Sequence, residues 1–117
     1  MIPKLLGDTT RTTRRDLVER ARKMMLEMRV AGIAAVQRGM AARPDSVADL
    51  KTMSVPTLVL VGTEDTVTPL SEAELMQREI PHSRLAVIPR AGHCAVFEQH
   101  EAAGKTIRGF LDSLKTW

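Results

Sequence analysis

Apolar residues recur at helical spacing through the first third of the chain. Between residues 14 and 29 they return every three or four positions, which predicts an amphipathic helix with Thr12 or Thr13 as its N-cap. These residues are Leu17, Val18, Ala21, Met24, Met25 and Met28. An alanine-rich stretch at residues 30–42 also favours helix, and Pro44 ends it. The first third of the chain is therefore predicted to be helical.

The pattern changes to short β-type runs in the second half. Residues 57–61 read TLVLV, a continuous run of β-formers between a proline and a glycine, which predicts a parallel strand covered on both faces. A helix is expected at residues 69–79, with Leu75 and Met76 facing inward, and a second strand at residues 84–88. The order is that of one βαβ unit. A final amphipathic helix is predicted from residue 99 to 115.

Length and composition fit one cytoplasmic domain. The chain has 117 residues, 44% of them hydrophobic and 26% charged, which is typical of a single globular domain spanning residues 1–117. The single cysteine, Cys94, excludes an internal disulfide and favours a reducing compartment. No apolar run approaches the ~20 residues of a membrane span, and the first ten residues lack the apolar core of a signal peptide. We therefore expect a cytoplasmic protein that does not bind membranes.

The charge is unevenly distributed along the chain. Residues 1–43 contain ten Lys and Arg against four acidic residues, whereas the net charge of the whole chain is only +3. A basic segment of this kind raises the possibility of a nucleic-acid surface. Acidic residues interleave with the basic ones, however, and no aromatic side chain is available there for base stacking. A solvated helix face is the better interpretation, and we expect no nucleic-acid partner.

A carboxylate and an imidazole follow the two predicted strands. Asp65 comes just after the first strand and His93 just after the second. Because parallel strands end at the same edge of a sheet, both side chains are expected at that edge, where open α/β sheets bind ligands. A carboxylate can fix the tautomer of a histidine whose other nitrogen takes a proton from a nucleophile. The alternatives are a turn carboxylate at Asp65 and a hydrogen-bonded loop histidine at His93.

The two loops and their surroundings resemble a known family. VPTLVLVGTEDTVTP and RLAVIPRAGHCAVFEQHEA are similar to the last two strands of α/β-hydrolases, especially the group of esterases and 3-oxoadipate enol-lactonases. The resemblance implies that Asp65 is the triad acid and His93 the triad base, in the family's chain order. It also implies that residues 1–52 derive from a helical cap and residues 53–117 from the C-terminal βαβα part of the core. The expected fold is thus the C-terminal part of an α/β-hydrolase, with two parallel strands.

The family's nucleophile elbow is not found in the sequence. None of the five serines lies in a G-x-S-x-G frame, and the loops that form the family's oxyanion hole are also missing. Cys94 adjoins His93, but neighbouring loop residues generally point apart, so a small apolar role is preferred over that of a substitute nucleophile. We therefore expect the C-terminal portion of a serine hydrolase that is inactive as a lone chain.

Two functional classes follow from these observations. In the first, the chain belongs to a hydrolase of small apolar esters or lactones. In the second, it is a non-catalytic oligomeric scaffold or binding protein descended from a hydrolase. No cofactor is implied, and His82 and His100 lack the spacing of a metal site. Because two strands leave hydrophobic edges unpaired, we also predict that the chain forms a homo-oligomer through strand or helix surfaces.

Overall fold

A computed structural model describes residues 1–114. Along the chain, helices precede, connect and follow the two strands of a small sheet. The N-terminal elements are α1 (Ile2–Leu5), α2 (Asp8–Thr13), α3 (Arg15–Leu26), α4 (Val30–Ala42) and a 3₁₀ helix (Val47–Thr52). The remaining elements are β1 (Thr57–Gly62), α5 (Leu70–Glu79), β2 (Ser83–Ile88), α6 (Ala95–Glu98) and α7 (His100–Asp112). The predicted extension of the last helix to Lys115 lies outside the described residues.

The two strands form the predicted parallel pair. β1 and β2 are aligned from Thr57 opposite Ser83 to Gly62 opposite Ile88, and α5 connects them. The α/β class, the βαβ unit and both strands are therefore confirmed. Both strands end at the same edge of the sheet, which brings together the loops that follow them.

One face of β1 packs into the main hydrophobic core, while the other is only partly covered. Val59 and Val61 are buried together with Ala73 of α5 and with Ile80. The intervening Leu58 and Leu60 remain half-buried. The prediction that β1 is covered on both faces is therefore wrong for the described residues: alternate side chains point to opposite faces of a strand, and residues 1–114 cover one face fully.

The helix α5 presents a smaller residue to the core than the sequence pattern predicted. Ala73 is buried at 3% exposure, Leu75 is half-buried and Met76 is exposed. The inward position predicted for Met76 is therefore wrong. Helix α5 contacts the strands through Ala73, whose small side chain allows the helix to lie close to the sheet.

The two long N-terminal helices form where the apolar spacing predicts them, but they differ in packing. α3 buries Leu17 and Ala21, whereas α4 has no buried residue among its thirteen. The predicted threonine cap is wrong: Arg14 occupies the N-cap position without a side-chain cap, because Thr12 and Thr13 belong to the preceding short helix. The N-terminal half therefore contains an apolar helix that the described residues cover only partly, at Ile33 and Ala34.

The methionines of these helices lie mostly at the surface. Met24, Met28 and Met40 are 49%, 60% and 65% exposed. These three methionines therefore do not belong to the buried core. Within residues 1–114, no helix has the length and apolar character needed to cross a bilayer.

Candidate active site

Asp65 lies in a tight turn just beyond β1. Its Oδ1 accepts hydrogen bonds from the backbone N–H groups of Val67 (2.9 Å) and Thr68 (3.0 Å). The residue is 8% exposed. The turn role considered as an alternative is thus present, and it uses only one carboxylate oxygen, so that the other is available to a second partner.

The loop after β2 carries His93 and is joined to the loop after β1 through backbone contacts. The N–H of Glu64 donates to the carbonyl of Ala91 at 2.7 Å, and the N–H of Arg90 donates to Oγ1 of Thr63 at 3.1 Å. Arg90 has φ 57°, a left-handed conformation that is uncommon for a residue with a Cβ. The turn at Arg90 brings the chain back over the end of β1, so that the two loops form one unit.

The two predicted site residues meet through their side chains. Nδ1 of His93 lies 3.1 Å from Oδ2 of Asp65, and Oγ1 of Thr68 donates to the same carboxylate oxygen at 3.2 Å. When Nδ1 carries the proton and donates it to the carboxylate, Nε2 is the acceptor nitrogen of the neutral ring. This is the orientation that a triad acid imposes on a triad base.

The environment of Asp65 favours its ionised form. Burial raises the pKa of this carboxyl and is the largest single influence on it. Hydrogen bonds from the Thr68 N–H, the His93 ring and the Val67 N–H act in the opposite direction and together outweigh burial. The pKa of Asp65 therefore lies below its ordinary value, as required of a group that stabilises an imidazolium ion.

An open cleft of about 690 Å³ adjoins the acid and base side chains. The two half-buried leucines of β1, Leu58 and Leu60, contribute to one wall, and α6 contributes Val96 and Phe97 to another. Its lining consists of Leu58, Leu60, Val61, Gly62, Asp65, His93, Cys94, Ala95, Val96 and Phe97. The arrangement places an apolar surface beside a carboxylate–imidazole pair, which suits a ligand with an apolar part.

Cys94 has the properties of a structural thiol. Burial raises its pKa, and the negative charges of Glu98 and Asp65 raise it further. A raised pKa keeps the sulfur protonated, whereas the thiolate is the nucleophilic form. The preference for a small apolar residue over a substitute nucleophile agrees with this environment.

The serine hydroxyls of residues 1–114 make no hydrogen bond to His93. Ser83, at the opposite end of β2, donates to the carbonyls of Gln77 and Ile80, and Ser113 donates to the carbonyl of Phe110. His82 and His100 are exposed. Over the same residues, no group of three or more His, Cys, Asp or Glu side chains could hold a metal ion. Among the described residues, the hydroxyl that contacts the His93 ring is that of Thr68, whose Oγ1 lies 3.2 Å from Nδ1.

The pair of loops, their order and the surrounding βαβ unit match a family. A family model described as TAP-like protein (Abhydrolase_4) matches residues 19–116. The chain belongs to the α/β-hydrolases. Among solved structures, a thermophilic esterase from Thermogutta terrifontis superposes with a TM-score of 0.93 at 43% identity, covering 97% of this chain and 42% of that one. MenH of S. aureus superposes with a TM-score of 0.84 at 26% identity, covering 91% of this chain and 40% of that one.

Curated α/β-hydrolases are similar over a smaller part of their own length. The AB hydrolase superfamily protein YisY of Bacillus subtilis is 31% identical over 91 residues, which are 77% of this chain and 33% of YisY. The 3-oxoadipate enol-lactonase 1 of Acinetobacter baylyi is 34% identical over 74 residues, which are 63% of this chain and 27% of the lactonase. The chain thus spans about a third or less of these two α/β-hydrolases.

Two further carboxylates contribute to the site of this α/β-hydrolase and were not predicted from the sequence. Glu98 is buried at 2% exposure and accepts hydrogen bonds from the N–H groups on either side of His93, those of Gly92 and Cys94. Glu64, which directly precedes Asp65, binds Thr9 through both of its oxygens. Glu98 also accepts a hydrogen bond from the Gly7 N–H. The sequence offered no local signal for this contact or for that of Glu64 with Thr9, because the partners lie 91 and 55 positions away.

Proposed function

We propose that this chain supplies the acid and base of a serine α/β-hydrolase that acts on esters or lactones, with Asp65 as the triad acid and His93 as the base. The single observation that carries the proposal is the 3.1 Å contact between Nδ1 of His93 and Oδ2 of Asp65 beside an apolar cleft. In such a pair the carboxylate orients the ring, and Nε2 takes the proton from an attacking hydroxyl.

In this proposal, the nucleophile and the oxyanion-hole donors come from residues other than these 117. No serine of the 117 residues lies in a G-x-S-x-G frame. Loss of nucleophile and oxyanion donors removes large contributions to acyl transfer, so the lone chain should be inactive. Hydrolysis is expected only when additional residues provide the nucleophile and the oxyanion-hole donors.

Small apolar esters or lactones are the proposed substrates. Leu58, Leu60 and Phe97 offer apolar contacts next to the acid and base, and the cleft is large enough for a small acyl or alkyl group. Similarity to an esterase and to an enol-lactonase supports the same substrate classes. The single cysteine also favours a cytoplasmic location for the enzyme.

A chimera tests the proposal directly. The part of the Thermogutta terrifontis esterase that superposes on this chain is replaced by the chain itself, which the TM-score of 0.93 makes geometrically feasible. The chimera should hydrolyse p-nitrophenyl butyrate, and His93→Ala or Asp65→Asn should each reduce kcat by about 10³-fold or more. The matched control is His100→Ala, because His100 is an exposed histidine on α7.

The outcomes separate the two functional classes. Turnover by the chimera that depends on His93 and Asp65 but not on His100 supports the hydrolase. A folded chimera without turnover, or turnover indifferent to His93→Ala and Asp65→Asn, would instead favour the non-catalytic scaffold. Hydrolysis by the lone chain that requires His93 would contradict the part of the proposal that assigns the nucleophile to additional residues.

A further inference from the structure

Glu98 is a buried carboxylate that joins the first residues of the chain to the loop of His93. Its Oε1 accepts hydrogen bonds from the Gly7 N–H at 2.6 Å and from Oγ1 of Thr10 at 2.7 Å. Its Oε2 accepts from the N–H groups of Gly92 at 3.0 Å and Cys94 at 3.2 Å. One side chain thus satisfies two donors of the N-terminal segment, defined as residues 2–13, and the two backbone amides that flank His93.

Glu64 makes the corresponding connection to the loop of Asp65. Its Oε1 accepts from the Thr9 N–H at 2.8 Å and its Oε2 from the Thr9 hydroxyl at 2.6 Å. These bonds, led by that from the hydroxyl, lower the pKa of Glu64, so that the carboxylate is ionised when it binds the segment. Because Glu64 directly precedes Asp65 in the chain, its hydrogen bonds to Thr9 connect the N-terminal segment to the loop of Asp65.

Gly7 brings the backbone of the segment against both loops. A Cβ on Gly7 would lie 2.6 Å from Oε1 of Glu64 and 2.8 Å from the nitrogen of Gly92. A further backbone bond, from the Cys94 N–H to the Leu5 carbonyl at 3.1 Å, fixes the same segment. Contacts this close leave little room for the segment to shift without moving the loops.

We propose that Glu98 is a positioning residue that couples the N-terminal segment to His93, with Glu64 making the parallel connection to the acid loop. The position of residues 2–13 then determines how the imidazole is presented to Asp65. The inference rests on the proposed function only for its catalytic consequence, because the coupling itself is a property of the folded chain. Charge-assisted hydrogen bonds from backbone amides to a buried carboxylate are strong enough to hold a loop in one conformation.

The coupling can be measured in the lone chain by NMR. The substitution Thr10→Val removes one donor to Glu98 while preserving shape, and Thr10 makes no hydrogen bond to His93 or Asp65. We expect the Gly92 amide to exchange with solvent about tenfold faster, since its acceptor is held less firmly. The Cys94 amide should change in the same direction by less, because it also donates to the Leu5 carbonyl. The ring ¹⁵N shifts of His93 should also show a smaller population of the Nδ1–H tautomer.

A second variant and a control make the test specific. Glu98→Gln replaces one acceptor oxygen with a donor, so it should produce larger changes than Thr10→Val at the same amides and in the same ring. Glu101→Gln carries the same chemical change on an exposed residue of the adjacent helix and should leave all of these signals unchanged. Should Glu98→Gln fail to fold, Thr10→Val remains the deciding variant.

The outcomes distinguish this inference from the proposed function. Faster exchange confined to Gly7, with Gly92, Cys94 and the His93 ring unaltered in the variants that fold, would overturn the coupling and assign Glu98 a structural role only. Changes at His93 in Thr10→Val support the coupling even if the esterase chimera is inactive. In an active chimera, Thr10→Val should lower kcat with little effect on KM.

Discussion

The imidazole of His93 and the carboxylate of Asp65 are hydrogen-bonded at 3.1 Å although the residues lie 28 positions apart in the chain. The contact follows from the sheet: each residue sits in the loop after one of two adjacent parallel strands. Thr68 lies in the same turn as Asp65 and donates to the same carboxylate oxygen. Oδ2 therefore has two donors while Oδ1 binds the backbone, which leaves Asp65 a satisfied acceptor at the edge of the sheet.

The lowered pKa of Asp65 predicts a specific loss of stability in acid. A carboxyl whose pKa is lower in the folded than in the unfolded protein stabilises the fold above its unfolded pKa, and this contribution disappears as the pH falls through the folded pKa. Urea unfolding between about pH 3 and pH 7 should therefore show a decline at the acid end.

Substitution of Asp65 isolates this contribution. Asp65→Asn should make the free energy of unfolding less dependent on pH over that range, since asparagine does not titrate. Asp49→Asn, on an exposed residue of the 3₁₀ helix, should retain the wild-type profile. A parallel decline in the wild type and Asp65→Asn would assign the acid sensitivity to other carboxyls.

Gly62 should tolerate no side chain. A Cβ at this position would collide with the carbonyl oxygens of Ala91 and Gly92, which belong to backbone that cannot rotate away. Gly62→Ala should lower the free energy of unfolding by about 2–4 kcal/mol. Gly104→Ala is the control, because its Cβ would point into open space on α7 and should raise stability by about 0.5–1 kcal/mol. Equal effects in chemical denaturation would argue against the close packing of the two loops.

Cys94 should react slowly with alkylating reagents. Its raised pKa, due first to burial and then to Glu98 and Asp65, reduces the thiolate fraction near neutral pH. We expect iodoacetamide to modify Cys94 about tenfold more slowly than an exposed cysteine. The comparison is made with Ser71→Cys in a Cys94→Ala background, since Ser71 is exposed on α5. Rates as fast as that of the surface thiol would reopen the possibility of a nucleophilic Cys94.

The site pair was predictable because its geometry depends on regular elements. The β-type runs and the intervening helix fix a parallel pair, and residues that directly follow such strands share one edge. The hydrogen bonds between Glu98 and the N-terminal segment could not be predicted in this way, because they do not follow from a pair of adjacent strands. Gly7 lies 91 positions from Glu98 in a segment of two short helices, and elements of four to six residues are too short to show a period.

The hydrophobic pattern did not predict which apolar residues remain exposed. The run TLVLV indicates a strand that is covered on both faces, and α4 is apolar on much of its surface. Apolar character indicates that a residue favours burial, but it does not identify the residues that bury it. Leu58 and Leu60 thus remain half-buried, and α4 has no buried residue among its thirteen.

These surfaces predict self-association of the lone chain. Within residues 1–114, β1 pairs only with β2, so its other edge has unpaired backbone groups next to Leu58. Val36 on α4 is 62% exposed beside other apolar residues. Both features favour contact with a second copy, and size-exclusion chromatography with light scattering at about micromolar concentration should give at least the mass of a dimer.

Two lysine substitutions identify the surface that is used. Leu58→Lys places a charge next to the free strand edge, whereas Val36→Lys places it on the exposed helix; Gln37→Lys adds the same charge to the same helix at a polar position. Dissociation by Leu58→Lys alone would assign the contact to the strand, and dissociation by Val36→Lys but not Gln37→Lys would assign it to α4. A wild-type chain that is a folded monomer by light scattering would contradict the prediction, because both apolar surfaces would then be stable in water.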